Sequence, residues 1–189
     1  MLTLWNTYSF FVMNAELAKV GREEAASCEE SDNLLDRWII SELNLLIAKV
    51  DREMQGYDLV KASRPLMDFT DELSNWYVRR SRRRFSSEDA ADRLAAFRTL
   101  YHVLEEFMKL MAPFMPFIAD EIFRNLTGKK SVHLEAFPEA DKDKIDEELS
   151  RRMEMAREVV TLGLAVRAKS RMKVRMPLRA LRREREAPE

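Results

Sequence analysis

The sequence has 189 residues, of which 46% are hydrophobic and 34% are charged, so it can bury a core beneath a heavily charged surface. One cysteine and two histidines exclude a disulfide framework, a CxxC zinc site and haem ligation as the basis of its chemistry. Only 4 glycines and 6 prolines interrupt the chain, which favours a mostly α-helical fold over a β-sandwich or barrel.

The first two predicted helices follow from the spacing of apolar residues. Steps of three and four over 33–54 predict an amphipathic helix with Asp32 or Asn33 as its N-cap. The same spacing over 59–76 predicts a second helix, in which Pro65 introduces a kink or delays the start because it lacks a backbone N–H.

The second half of the chain predicts three more elements of helix and one extended piece. Residues 90–111 carry a single apolar face, and after two prolines a short helix over 117–126 is stopped by Gly128. Alternating apolar residues predict a short extended segment near 131–137. A final long helix is expected over about 142–168.

Short loops between these helices predict an all-α antiparallel bundle over 1–166, followed by a basic C-terminal extension over 167–189. No stretch approaches the roughly 18 consecutive apolar residues of a membrane span, and the N-terminus lacks the basic region of a signal peptide. We therefore expect a cytoplasmic protein with no membrane partner.

Charge is strongly segregated although the formal net charge is only −1. Five arginines fall within the six positions 79–84, which we call the arginine segment, and further basic residues recur through the extension. Acidic residues collect over 23–32 and 139–148. Such a chain presents local positive fields to an anionic partner, the alternative being that these runs are solvated helix faces.

The arginine segment is predicted to protrude past the bundle. At 100° per residue, Arg80 and Arg84 lie on the side of the apolar stripe that ends at Trp76. Because an arginine cannot be buried unpaired without a large desolvation cost, we expect the helix from Arg79 onward to project, basic on all sides. Asn75 and Trp76 add an amide and a ring at its base, a combination typical of contacts to phosphates and stacked bases.

The extension supplies a second predicted nucleic-acid contact, in which Lys173 and Arg175 share one face of an extended chain. The alternative is a disordered end. The candidate RNA-binding residues are Asn75, Trp76, Arg79, Arg80, Arg82, Arg83 and Arg84 in the first block, and Arg167, Lys169, Arg171, Lys173 and Arg175 in the second.

No catalytic site can be assembled from the sequence. It contains neither GxGxxG nor a complete P-loop, of which 127–131 (TGKKS) matches only the end. No nucleophile is paired with a base, so the chain is predicted to bind rather than to catalyse, and to hold no metal or cofactor.

Five segments resemble the anticodon-binding domain of isoleucyl-tRNA synthetases. They are 75–85 (NWYVRRSRRRF), 4–11 (LWNTYSFF), 111–122 (MAPFMPFIADEI), 131–138 (SVHLEAFP) and 167–178 (RAKSRMKVRMPL). The third is shared with the valyl and leucyl enzymes, whereas the first and last favour the isoleucyl one.

The resemblance implies recognition of the anticodon stem-loop of the tRNA for isoleucine, within an enzyme that joins isoleucine to its tRNA using ATP and magnesium. Because the ATP-binding signatures HIGH and KMSKS are absent, we expect an excised C-terminal part of that enzyme, inactive alone and partnered by its catalytic core. The alternatives are the same domain of a valyl or leucyl enzyme, and a helical module that docks a protein through its acidic segments.

Overall fold

A computed structural model describes residues 2–27 and 31–180 of the chain, so Cys28 and positions 181–189 of the predicted extension lie outside the described residues. The chain divides into two units, Met1–Asp146 and Glu147–Glu189. The predicted division into 1–166 and 167–189 stays a prediction.

Seven helices account for most of the described residues. They are α1 (Leu2–Ala18), α2 (Arg22–Ala26), α3 (Leu34–Gln55), α4 (Leu59–Glu72), α5 (Ala90–Met111), α6 (Pro116–Thr127) and α7 (Glu147–Lys169). A π-helix (Leu73–Val78) and one α-helical turn (Arg79–Ser81) continue α4, and 3-10 turns lie at Arg84–Ser86, Val132–Leu134 and Lys142–Lys144. The described residues contain no strand, so the all-α prediction is confirmed.

The core of the first unit lies between α3 and α5, which contact each other and also α4, α2, α1 and α6 between them. Both helices bury apolar residues at helical spacing. Those with no exposed surface include Trp38, Leu43, Phe97, Leu104 and Phe107. Edge-to-face and tilted ring pairs extend the core outward, with Phe85 and Phe97 centroids 5.0 Å apart and Phe69 and Phe107 centroids 4.9 Å apart.

Local signals placed four helix boundaries correctly. Asn33 caps α3, its Oδ1 accepting from the Leu35 N–H at 2.9 Å. The helix predicted over 90–111 has those bounds. α6 ends at Gly128, whose φ of 74° suits glycine, and the Arg22 guanidinium packs where a Cβ would lie while its Nε donates to the Leu126 carbonyl at 3.0 Å.

Pro65 does not delay the start of α4, so the predicted late start is wrong, while the predicted kink stays a prediction. α4 begins at Leu59 and runs through Pro65. The Asp58 side chain accepts from the Lys61 N–H at 3.0 Å, which fixes the first turn ahead of the proline. The missing N–H of Pro65 removes one hydrogen bond from a helix that is otherwise held by its buried face.

The extended segment expected near 131–137 is interrupted by a 3-10 turn, Val132–Leu134, although Ser131 and Glu135 on either side of it are extended. Asp120 of α6 causes this, because its Oδ1 accepts from the Ser131 hydroxyl at 2.7 Å and from the Val132 N–H at 2.9 Å. These two hydrogen bonds draw the chain into a turn at the centre of the predicted extended segment.

The last helix begins at Glu147, five residues later than predicted. Two α3 side chains hold the preceding stretch out of helical geometry. Asn44 Oδ1 accepts from the Asp141 N–H at 2.8 Å, and Ser41 Oγ accepts from the Asp146 N–H at 2.9 Å. Backbone N–H groups bound in this way are not available for helical hydrogen bonds.

In the described ranges, no helix is long and apolar enough to cross a membrane, and no group of three or more metal-ligating side chains comes together.

Ser81 gives a first stability prediction. Its side chain is fully buried, and among the described residues its hydroxyl has no hydrogen-bond partner. An unsatisfied buried hydroxyl costs about 1–3 kcal/mol, and alanine is the better helix former. We expect Ser81→Ala to raise the free energy of unfolding by about 1 kcal/mol in urea denaturation. Ser86→Ala, at an exposed position, is the matched control, and a lower midpoint for Ser81→Ala than for this control would contradict the assignment.

His102 gives a second prediction, on pH dependence. Burial lowers the pKa of His102, with Glu106 opposing the shift. As the pH falls, the unfolded chain therefore binds a proton at this site before the folded chain does, so the free energy of unfolding decreases below the unfolded pKa of about 6.5. Between about pH 7.5 and about pH 5.5, the wild type should lose more stability than His102→Gln in urea denaturation. The exposed His133 provides the control, His133→Gln, and an identical pH dependence of all three chains would contradict the prediction.

Candidate nucleic-acid interface

The arginine segment places four of its five guanidinium groups in solvent. These exposed arginines are Arg79, Arg80, Arg82 and Arg83. Asn75, one turn earlier, is also exposed. Within the part of the chain that the structure describes, none of the four forms an ion pair with an acidic side chain. The structure therefore brings five of the predicted residues together on one helix end, with their positive charge available to a partner.

The π-helix decides which side chains of this helix are buried. The buried residues repeat every fourth position, at Phe69, Leu73, Tyr77, Ser81 and Phe85. A regular α-helix has 3.6 residues per turn, so a period of four would drift around its axis. The wider turn, in which the Arg79 N–H donates to the Ser74 carbonyl five residues earlier, keeps this stripe on the core.

Trp76 lies beside the buried stripe and not within it. The apolar spacing predicted that the stripe ends at Trp76, but Tyr77 takes that place, fully buried, and Trp76 is half-buried. The Arg80 guanidinium lies over the Trp76 ring, with its Cζ 4.5 Å from the ring centroid. This cation–π contact orders the Arg80 side chain, so the stacked guanidinium and indole groups form one positively charged surface feature.

A second guanidinium is ordered by α1. The Cζ atom of Arg82 lies 5.5 Å from the centroid of the Phe10 ring, which packs edge-on against the buried Phe85 with centroids 5.2 Å apart. The segment 4–11 therefore contributes to this surface through an aromatic ring, a contact for which the sequence pattern gave no signal.

Arg84 contradicts the prediction that the whole segment protrudes, basic on all sides. Its side chain is only 12% exposed and forms an ion pair with the fully buried Asp36, Nη1 to Oδ1 at 2.7 Å and Nη2 to Oδ2 at 2.8 Å. Its Nε also donates to Asp92 Oδ1 at 2.7 Å. The desolvation cost that was expected to expel the arginine is offset by these charge-assisted hydrogen bonds.

Asp36 is a residue of this region that the sequence pattern did not identify. Its Oδ1 also accepts from the Tyr77 hydroxyl at 2.7 Å, and its Oδ2 from the Ser31 hydroxyl at 2.6 Å. Burial and the adjacent carboxylate of Asp36 raise the pKa of Tyr77 well above its ordinary value. Burial acts to lower the pKa of Arg84, but hydrogen bonds to Asp36 keep it raised. A signal was present: Asp36 and Arg84 both interrupt apolar stripes, and opposite charges on two buried faces can pair.

The second basic block belongs to the second unit and is described by itself. α7 ends at Lys169, and Arg167 Nη1 donates to the carbonyls of Lys173 at 3.0 Å and Met176 at 2.9 Å. The Met176 N–H donates to the Lys173 carbonyl at 3.0 Å, closing a turn. The extended geometry predicted for Lys173 and Arg175 is therefore wrong. The exposed cations of this block are Lys169, Arg171, Lys173 and Arg175.

Comparison with known proteins identifies the family of the chain. A family model for the anticodon-binding domain of tRNA ligases matches residues 36–182. The chain is 46% identical over 189 residues to an isoleucine–tRNA ligase of Dehalococcoides mccartyi. This alignment covers 96% of the present chain and 18% of the relative. It is 46% identical over 182 residues to that of Porphyromonas gingivalis, covering 95% of this chain and 16% of the relative.

An isoleucine–tRNA ligase of Clostridium novyi is 44% identical over 183 residues, covering 93% of this chain and 18% of the relative. The chain thus spans 16–18% of the length of these relatives. The matched region contains Asp36, the whole arginine segment and the second basic block. The resemblance drawn from the sequence motifs is confirmed, and the chain belongs to the family of anticodon-binding domains of tRNA ligases.

Proposed function

We propose that the chain recognises the anticodon stem-loop of the tRNA for isoleucine, as part of an isoleucine–tRNA ligase. The observation that carries this proposal is the group of four exposed arginines on one helix end, without acidic partners among the described residues, in a chain of this family. The names of its relatives at 44–46% identity support isoleucine over valine or leucine.

The two kinds of side chain on this surface serve different parts of the RNA. Arg79 and Arg83 offer unpaired charges to phosphates, which supplies affinity that depends on salt. The Trp76–Arg80 stack offers a face to an unpaired loop base, and the Asn75 amide can donate to and accept from a base edge. Arg84 leaves this set, because Asp36 and Asp92 occupy its donors.

The chemistry of aminoacylation is proposed to lie outside this chain. In this proposal, ATP and magnesium act in the catalytic core of the ligase, which is the second partner of the domain, and the chain itself takes no cofactor. Isoleucine-dependent exchange of pyrophosphate into ATP should then stay at background for the purified 189-residue chain, with or without tRNA. Exchange above background would contradict this division of labour.

The test of the proposed function is a filter-binding comparison. The tRNA for isoleucine and its isolated anticodon stem-loop should bind with similar affinity, and tRNAs with other anticodons should bind more weakly. Equal affinity for all tRNAs would reduce the function to unspecific electrostatic binding. Absence of binding to any RNA would favour the alternative, a helical module that docks a protein partner.

The second basic block is proposed as a separate RNA-binding surface. Deleting residues 170–189 removes Arg171, Lys173 and Arg175 but leaves α7 complete. We expect weaker binding of the tRNA for isoleucine and little change in melting temperature. The salt slope should be smaller by about 0.7–0.9 for each phosphate that the truncated chain no longer neutralises. A large fall in melting temperature would show that this stretch supports the fold, and unchanged binding would remove it from the interface.

A further inference from the structure

We propose that Asp36 is a positioning residue for RNA binding: its buried carboxylate sets the direction in which the exposed arginines face. Asp36 lies in the first turn of α3 and touches no solvent, so it cannot meet the RNA itself. The proposal rests on the proposed function, and its test is arranged so that the two can fail separately.

The Asp36 carboxylate binds one residue before and one residue after the four exposed arginines in the sequence. Tyr77, two residues before the run, donates its hydroxyl proton to Asp36 Oδ1 at 2.7 Å. Arg84, directly after Arg83, donates to Oδ1 at 2.7 Å and to Oδ2 at 2.8 Å. The four exposed arginines thus lie between two anchors that end on one side chain of a different helix.

The geometry of these contacts fixes an orientation more than it adds stability. A bidentate guanidinium–carboxylate pair is planar, so both of its hydrogen bonds form only in a narrow range of relative orientations. Ser31 and Asp92 restrain the pair further, Ser31 Oγ donating to Asp36 Oδ2 at 2.6 Å and Arg84 Nε donating to Asp92 Oδ1 at 2.7 Å. Buried ion pairs contribute little net stability compared with apolar residues, and their best-attested use is to specify one arrangement.

The helix end needs such a restraint because its backbone is irregular. Within 73–86 it passes from a π-helix to a single α-helical turn and then to a 3-10 turn. Each of these turns rotates the side chains by a different angle per residue. Anchors at Tyr77 and Arg84 remove this freedom and keep Arg79, Arg80 and Arg83 on the solvent side.

The test uses the sign of a charge change. Asp36→Asn adds one unit of positive charge to the chain, which by electrostatics alone strengthens RNA binding. Positioning predicts the opposite: affinity for the anticodon stem-loop of the tRNA for isoleucine should fall about tenfold, and the salt slope should decrease because fewer phosphates are met together. The exposed Asp32, four residues earlier, gives the matched control Asp32→Asn, which makes the same charge change and leaves the hydrogen bonds from Tyr77 and Arg84 to Asp36 in place.

Binding is measured on the 189-residue chain at a temperature where circular dichroism shows each variant fully folded. Asp36→Asn is also combined with Arg79→Ala and Arg83→Ala. If Asp36 acts through these arginines, Asp36→Asn no longer changes the affinity once both arginines are replaced. An effect of Asp36→Asn that comes from general loss of the fold would still lower the affinity in the triple variant. Tyr77→Phe removes one hydrogen bond to Asp36 and keeps the ion pair, so it is the milder variant to use if Asp36→Asn does not fold. It is also expected to lower the affinity for the RNA.

The outcomes separate the two proposals. Positioning is supported if the wild type binds the RNA, Asp36→Asn and Tyr77→Phe bind it more weakly, and Asp32→Asn binds it no more weakly than the wild type. Wild-type binding with affinity and salt slope unchanged in folded Asp36→Asn or folded Tyr77→Phe overturns the role of Asp36 and leaves the proposed function intact. A wild-type chain that binds no RNA overturns both.

Discussion

Replacing Arg84 by alanine is expected to lower the free energy of unfolding by about 3–5 kcal/mol, because it leaves the Asp36 carboxylate buried without its charged partner. Equilibrium denaturation in urea measures this directly. Arg80→Ala is the matched control: it removes the same side chain from an exposed position of the same segment, and it should cost no more than about 1 kcal/mol, the value of its cation–π contact with Trp76.

A double substitution distinguishes an unpaired charge from reduced packing. Asp36→Leu combined with Arg84→Met replaces the pair by apolar side chains of similar reach, and we expect it to recover most of the stability that Arg84→Ala removes. If Arg84→Ala unfolds at the same urea concentration as Arg80→Ala, the pair does not contribute to the folded state in solution and the burial argument is wrong.

Replacing Arg79 and Arg83 together by alanine is expected to weaken binding of the anticodon stem-loop about tenfold or more and to leave helix content unchanged. Both side chains lie in solvent without acidic partners among the described residues, so their removal affects RNA and not the core. If each arginine neutralises one phosphate of a single-stranded loop, the salt slope should fall by about 1.4 in the double variant.

The control for this prediction keeps the change in net charge and moves it elsewhere. Arg52 and Arg64 are exposed on α3 and α4, and their joint replacement by alanine removes the same two charges. Binding is measured for both double variants over a series of salt concentrations. An equal loss of affinity in the two would mean that the total charge drives binding and would remove the arginine segment from its special role.

The helices could be predicted from the sequence because their causes are local. The spacing of apolar residues, the cap at Asn33 and the stop at Gly128 all act within one or two turns, and they placed α3, α5 and α6 within one residue or so. α1 escaped prediction because apolar residues lie on all its faces, including the exposed Leu2 and Leu17, and leave no periodicity to detect.

The errors arose where a distant side chain decides the backbone or the charge state. Ser41 and Asn44 delay the last helix by binding N–H groups about a hundred positions later in the chain. The ion pair with Asp36, which lies 48 positions earlier in the sequence, offsets the desolvation cost of burying Arg84. The exposed position of Arg79, Arg80, Arg82 and Arg83 was therefore predicted, but the inward turn of Arg84 depends on a partner in another helix, 48 positions away.

The π-helix at 73–78 has a consequence for chain length. Deleting one exposed residue there, such as Asn75, converts the wide turn into an ordinary α-helical one while the residues after it keep their faces. Deleting a residue at Arg82, beyond the turn, would instead rotate everything that follows by about 100° and carry Arg84 away from Asp36. The orientation of this helix end is thus encoded in the number of residues as well as in their kinds, and single-residue gaps between relatives are expected inside the turn and not after it.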